Sequence, residues 1–391
     1  MNILVDGKTL ESLRKRYKAS VEIAAKMTGL EVDQLKDWEK NGAEISLTEA
    51  KRIAKIFHSH WSIFLLRSRV EPIEEPVNHR AGYKDNSPFS DKTFRAYEIA
   101  RKILDTSEEL GGQKLDTRLE AIRKHGSSGE DPVHLARKTR ELMGINTSSV
   151  LGIRGGPYKI YSFWKNNVSR LGVYVSEQDM PVNETKAFLL LDKKRAVIVV
   201  NKKDRYILSR VFSLMHEFGH LVKGEDSAAC KVTLSARRNS ADESWCNRFA
   251  SEILALDEDI LSDPATTQLK DIADPSGVIK RLASHYKVSF TVMLYKLRRN
   301  DRLSQKQCDE MHAFFENVIL PRINHENDTS EIRLSRAFYV GRDISKASTD
   351  LSREVIEKQL KGDISYSEAA RLLNTRTKYL EDIKTVVGFG R

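Results

Sequence analysis

The stretch FSLMHEFGHLVKG, Phe212 to Gly224, sets two histidines four residues apart, a glutamate after the first and a glycine before the second, in an otherwise apolar run. The spacing predicts a helix. In a helix, positions i and i+4 lie about 40° apart around the axis and about 6 Å along it, so His216 and His220 share one face and can reach one ion. Glu217 stands beside the first histidine, where its carboxylate can hold a metal-bound water and take its proton as the hydroxide attacks a peptide carbonyl. This is the HExxH arrangement of metallopeptidases. By itself the pattern arises by chance in roughly one chain in fifty of this composition, and two imidazoles rarely hold catalytic zinc without a third protein group.

The search for that third group leads to ADESWCNRFASEIL, Ala241 to Leu254. Its apolar positions Trp245, Cys246, Phe249, Ala250, Ile253 and Leu254 form the broad buried face of a second helix. Glu243 and Asn247 are i and i+4 on the more polar side. Glu243 can supply the third coordinating oxygen, and Asn247 can hydrogen-bond a ligand imidazole from behind. Asp242 and Glu252 are less well placed, and Glu225 and Asp226 follow His220 too closely. A structural zinc site would need a fourth protein ligand, for which Cys230 is the candidate.

Around these helices the chain has the composition of a folded globular protein: 391 residues, 40% hydrophobic and 31% charged. Its length predicts two or three domains. No run of about 18 apolar residues is present, and MNILVDGKTLESLRKR lacks the apolar core of a secretory signal, so the expectation is a cytoplasmic protein without a membrane span. Three cysteines, Cys230, Cys246 and Cys308, without CxxC spacing read as reduced fillers rather than a disulfide framework or a cysteine-rich zinc site. The formal net charge of +10 leaves nucleic acid or an acidic partner open.

Residues 1–70 read as short helices separated by turns, and this segment resembles the helix-turn-helix domain of phage-repressor-type proteins. TLESLRKRY and VEIAAKM, the latter capped by Ser20, precede a turn at Thr28-Gly29-Leu30. EVDQLKDWEK, ending at Asn41-Gly42, would enter a major groove if the resemblance extends to DNA, and LTEAKRIAKIF follows with Ile53, Ile56 and Phe57 on one face. Of its outward candidates Glu31, Asp33, Gln34, Lys36 and Asp37, three are acidic, which opposes approach to a polyanion. Gln34 and Lys36 remain as DNA-contact candidates, beside a protein-docking or dimerising role for the domain.

Residues 71–90, with the proline- and glutamate-rich RVEPIEEPVNHR at their start, read as a linker. Residues 91–310 then form the core, with helical spacing over 91–110 and 133–143 and a polar interruption at KHGSSGED between them. LGVYV, AFLLL and AVIVVN, 171–175, 187–191 and 196–201, read as a small sheet in front of the histidine helix. VIKRLASHYKVSFTVMLYKLRRNDRLS is two helices around a turn. Residues 311–391 form a C-terminal helical region, in which Ser365 caps a helix and Arg371, Arg376 and Lys378 give a basic face.

SLMHEFGHLV followed by ESWCNRFASEIL resembles the ImmA/IrrE family of bacterial zinc metallopeptidases, in which a HExxH helix precedes an E-x-x-A-N-x-F-A helix. The resemblance implies an α+β fold, mainly α with a small β-sheet: a zincin-like HExxH metallopeptidase core with an N-terminal helix-turn-helix domain and a C-terminal helical unit. It implies zinc as cofactor, held by His216, His220 and Glu243, with Glu217 as general base and Asn247 behind a ligand. It also implies a regulatory metalloendopeptidase acting in the cytosol on a protein substrate such as a helix-turn-helix repressor. The alternative it carries is a DNA-binding antitoxin or transcription regulator, with a cognate toxin as partner and a non-proteolytic peptidase-like domain. Cys246 departs from the family's usual alanine, a small-for-small change expected to be harmless, and EILALDED lacks the proline that often closes the helix. Tyr206, Tyr174 and His285 are the candidates for stabilising an oxyanion, and a homodimer is compatible with the sequence.

Overall fold

The computed structural model describes residues 2–16, 21–56, 64, 90–192, 194–224, 240–267, 269–321 and 336–389. These fall into two compact units, the first ending at Asp91 and the second starting at Lys92.

In the first unit, β1 (Asn2–Val5) pairs antiparallel with β2 (Ala43–Ser46), Ile3 opposite Ile45, so the chain ends of a helical cluster are tied by a two-stranded ribbon. Periodicity gave no warning of these four-residue strands. Between them lie α1 (Gly7–Arg16), α2 (Val21–Thr28) and α3 (Val32–Asn41), and α4 (Leu47–Ile56) follows. The turn between α2 and α3 is at Gly29, whose φ of +66° suits a residue without Cβ. Leu10, Leu13, Leu35 and Ile53 are buried together with the ribbon's Val5 and Ile45, and Arg14 grips Glu39 through two bonds of 2.6 and 2.8 Å. The expected cap Ser20 and the apolar Phe57 lie outside the described residues, as does RVEPIEEPVNHR.

The second unit begins with α5 (Asp91–Glu109), α6 (Thr117–Ser127), α7 (Pro132–Met143), α8 (Thr147–Leu151) and α9 (Pro157–Ser169). The interruption read into KHGSSGED is shorter than expected, because α6 continues through His125, Gly126 and Ser127. Gly126 is there for proximity: a Cβ on it would collide with the carbonyl oxygen of Val222 on the helix packed across it.

Three strands follow, β3 (Val173–Gln178), β4 (Ala187–Asp192) and β5 (Arg195–Asn201). Their order is β3-β5-β4, β5 running parallel to β3 and antiparallel to β4. β3 starts two residues later than its apolar run suggested, since Gly172 takes a turn conformation at φ +81°. β5 is the central strand and all seven of its residues are buried, which is why it reads as a continuous apolar run rather than an alternating one.

Two long helices pack next, α10 (Ile207–Lys223) against β4, β5, α6 and α9, and α11 (Ser240–Leu254) against α10 and α7. Beyond them come α12 (Asp257–Ser262), α13 (Ser276–His285), α14 (Phe290–Arg299) and α15 (Gln305–Phe314), the last continued by a π-helical turn to Ile319. The C-terminal helices α16 (Arg336–Ala347), α17 (Thr349–Lys361), α18 (Tyr366–Leu372) and α19 (Leu380–Val386) complete the unit, with Ser365 capping α18 through the Glu368 amide. α16 and α17 cover β3: the Lys346 carbonyl accepts bonds from Ser176 Oγ (2.6 Å) and Gln178 Nε2 (3.0 Å). The protein is thus mainly α with a small sheet. Among the described residues no helix is long and apolar enough to cross a membrane.

Candidate metal centre

α10 owes its position to Val211, Leu214, Met215, Phe218, Leu221 and Val222, all buried in the main core. Gly224 ends it in the left-handed conformation at φ +74°, its amide returning to the Leu221 carbonyl. α11 is held by Phe249, Ala250, Ile253 and Leu254 in the same core, with Trp245 stacked on Phe249 at 5.6 Å between centroids. The two helices approach closely at Gly219. A Cβ there would lie 3.2 Å from the Phe249 ring and 3.5 Å from Cys246. The glycine inside HEFGH is therefore the contact point that lets α11 bring its carboxylate to the histidines.

The result is a convergence of three donors. His216 Nε2 lies 3.1 Å from His220 Nε2 and 3.1 Å from Glu243 Oε2, and His220 Nε2 lies 3.5 Å from Glu243 Oε1. Both imidazoles are fully buried and the Glu243 side chain is 22% exposed, so the site opens on the carboxylate side. The outer ring nitrogens are also engaged: His216 Nδ1 donates to Asn247 Oδ1 at 3.0 Å, and His220 Nδ1 shares a hydrogen bond with Cys246 Sγ at 3.1 Å. With its proton held on Nδ1 by the Asn247 oxygen, His216 turns its Nε2 lone pair inward, towards the Nε2 of His220.

This donor set fits a metal ion. Donors on a tetrahedron with bonds of about 2.0–2.1 Å lie roughly 3.3 Å apart; the two imidazole nitrogens are 3.1 Å apart, and each has one or the other Glu243 oxygen within 3.5 Å. Two lone pairs and a carboxylate brought this close in a buried place repel one another unless a cation stands between them. Among the described residues, this is the one group of three or more such side chains arranged to hold an ion.

Residues 168–298 match the family model of the IrrE N-terminal-like domain, Peptidase_M78. The match covers about a third of the chain, from the end of α9 to near the end of α14, and contains all three converging donors. No curated protein and no solved structure matches the chain. The IrrE N-terminal-like domain is of a peptidase type, and the α10–α11 pair lies within it. Residues 2–56 lie outside the matched segment.

Glu217, on the same turn as His216, is 1% exposed. Asp242 and Glu252, set aside as ligands on sequence grounds, have other partners: Asp242 pairs with Lys223, and Glu252 with the buried Lys296 at 3.0 Å. Cys230 lies outside the described residues. Of the three oxyanion candidates, Tyr206 lines a cleft beside the site, its phenol pushed up to about 12 by burial. Tyr174 is instead bonded to Ser107 and Glu354 under the C-terminal helices, and His285 sits exposed at the end of α13 against the Tyr286 ring. Gln34 and Lys36 are both exposed on α3 of the first unit, Lys36 3.8 Å from Asp33. What sequence reading missed is Cys246. It looked like a filler on the buried face, but its sulfur touches a histidine ring, and only the rotation of α11 against α10 reveals this.

Proposed function

We propose that the protein is a regulatory zinc metallopeptidase that cleaves a partner protein, of which a helix-turn-helix repressor is the leading class. The observation that carries this reading is the convergence of His216, His220 and Glu243 with Glu217 buried beside them. Bound by these residues, zinc would supply Lewis acidity, polarising a peptide carbonyl and bringing the pKa of a water near 7. Glu217 takes a proton from the attacking water as oxygen adds to the carbonyl carbon. It returns that proton to the departing amide nitrogen as the C–N bond breaks. Asn247 and Cys246 keep the two imidazoles oriented throughout. The first unit, which exposes Glu31 at the start of α3 and Asp33 and Asp37 on it around Gln34 and Lys36, fits recruitment of a protein better than reading of a duplex.

The test is metal analysis of the purified chain together with incubation of the chain with the product of the neighbouring gene. One zinc per chain and a discrete pair of fragments are expected. Glu217→Gln should lower the cleavage rate by about 10²–10⁴-fold while folding and zinc content stay as they were. Absence of zinc, or equal cleavage by Glu217→Gln, refutes the reading.

A further inference from the structure

A cleft of about 1280 Å³ opens beside the candidate metal centre. Two of its lining residues touch the site directly: Asn247 holds His216, and the Phe212 ring lies 6.2 Å from the His216 ring. From there the cleft follows α10 back to Tyr206 and crosses to Tyr295 on α14 and Phe315 at the end of α15. Small-molecule sites occupy roughly 300–1000 Å³, so this space suits a chain segment of several residues.

Its charge is one-sided. Lys203, Arg205 and Arg248 are exposed on its lining, and Glu316 is its one exposed carboxylate. Lys203 and Arg248 form no ion pair with any described residue. Lys296 and Arg299, deeper in the wall, are by contrast neutralised by Glu252 and Asp257 through contacts of 2.7–3.0 Å. Arg248 follows Asn247 on α11, five residues and about 1.4 turns beyond Glu243, and its fork can take a carboxylate with two bonds. The floor supplies aromatic and apolar surface from Tyr206, Phe212 and Phe315.

We infer that this cleft binds an acidic, extended segment of the protein substrate, with carboxylates on Lys203, Arg205 and Arg248 and an apolar side chain on the aromatic floor. The inference rests on the peptidase reading for its purpose, but its test is binding alone. A phosphate backbone would meet the same cations. The peptide is favoured because the cleft lies beside the donors proposed to cut a peptide bond, its lining residues Asn247 and Phe212 standing next to His216.

The test uses the full chain bearing Glu217→Gln, loaded with zinc, and fluorescence anisotropy with three labelled probes. These are a twelve-residue peptide alternating glutamate with leucine and phenylalanine, its lysine counterpart, and a single-stranded twelve-nucleotide DNA. The acidic peptide should bind, the lysine peptide should not, and affinity should fall as salt rises from 50 to 300 mM. Arg248→Glu and Lys203→Glu should each weaken acidic-peptide binding about tenfold, with one zinc still bound per chain. Equal binding of the two peptides, tighter binding of the DNA, or indifference to both charge reversals overturns the inference. Because cleavage is not read, an inactive peptidase that binds the acidic peptide leaves this inference standing, and an active one that ignores the peptide refutes it alone.

Discussion

At the scale of single residues, the centre depends on which nitrogen of each imidazole carries a proton. For His216 the Asn247 oxygen decides this, by accepting from Nδ1 at 3.0 Å, while Cys246 Sγ lies 3.1 Å from Nδ1 of His220. Removing the Asn247 amide leaves a buried ring able to rotate or change tautomer. Asn247→Ala should therefore weaken zinc binding about 10–100-fold, measured by competition with a chelator, and Cys246→Ala should do so less, since a thiol is the weaker hydrogen-bonding group. Unchanged affinity in both variants would show that packing alone orients the rings. The shared face of His216 with His220, and that of Glu243 with Asn247, were legible from helical spacing, because i and i+4 fix a shared face whatever surrounds the helix. The role of Cys246 was not, because a buried apolar stripe and a stripe that contains one sulfur look alike in sequence.

At the scale of elements, the decisive geometry is the approach of α10 to α11. Gly219 is the residue between ligands where the two surfaces meet. Gly219→Val should push α11 outward, costing about 1–3 kcal/mol in stability, and should weaken zinc binding by at least about tenfold as Glu243 recedes. Gly219→Ala should come close to neutral, since the roughly 1 kcal/mol gain in helix propensity offsets mild crowding against Phe249. Chemical denaturation and chelator competition separate the two effects. The far end of α11 is fastened differently. Lys296 of α14 is fully buried, its pKa pushed down by burial, and donates to Glu252 at 3.0 Å, Asp257 at 2.7 Å and the Ser251 carbonyl at 3.2 Å. Lys296→Met strands two carboxylates, and a loss of about 3–5 kcal/mol is expected in urea unfolding. A loss below about 1 kcal/mol would mean that Arg299 and Arg137 suffice for both acids.

At the scale of the whole molecule, the C-terminal helices are joined to the sheet through a polar cluster. Tyr174 OH lies 2.7 Å from Ser107 Oγ and donates to Glu354, which also accepts from the Gln113 amide at 3.0 Å. Burial raises the Glu354 carboxyl above its ordinary value. A carboxyl raised in the folded state contributes its stability fully below the ordinary range, about pH 4.3, and loses it as pH climbs through the folded value. Once ionised, Glu354 therefore works against docking of α17. Glu354→Gln should raise Tm at pH 7, with the gap from the native chain narrowing as pH falls toward that range. A gap that does not vary with pH would place the cost of Glu354 elsewhere.

Sequence alone determined the helix that carries the HExxH pattern, its partner helix with Glu243 and Asn247, the three strands ahead of them, and the mainly α character of the chain. These follow from periodicity and local capping, which depend on neighbours three or four residues away. It did not disclose the β1–β2 ribbon, whose strands lie about forty residues apart and are too short to show a period. Nor could it give the order β3-β5-β4, the Gly219 contact, the sulfur on His220 or the basic cleft. Each of these is a meeting of residues distant along the chain, and only the packing of helices on the sheet decides which of them meet.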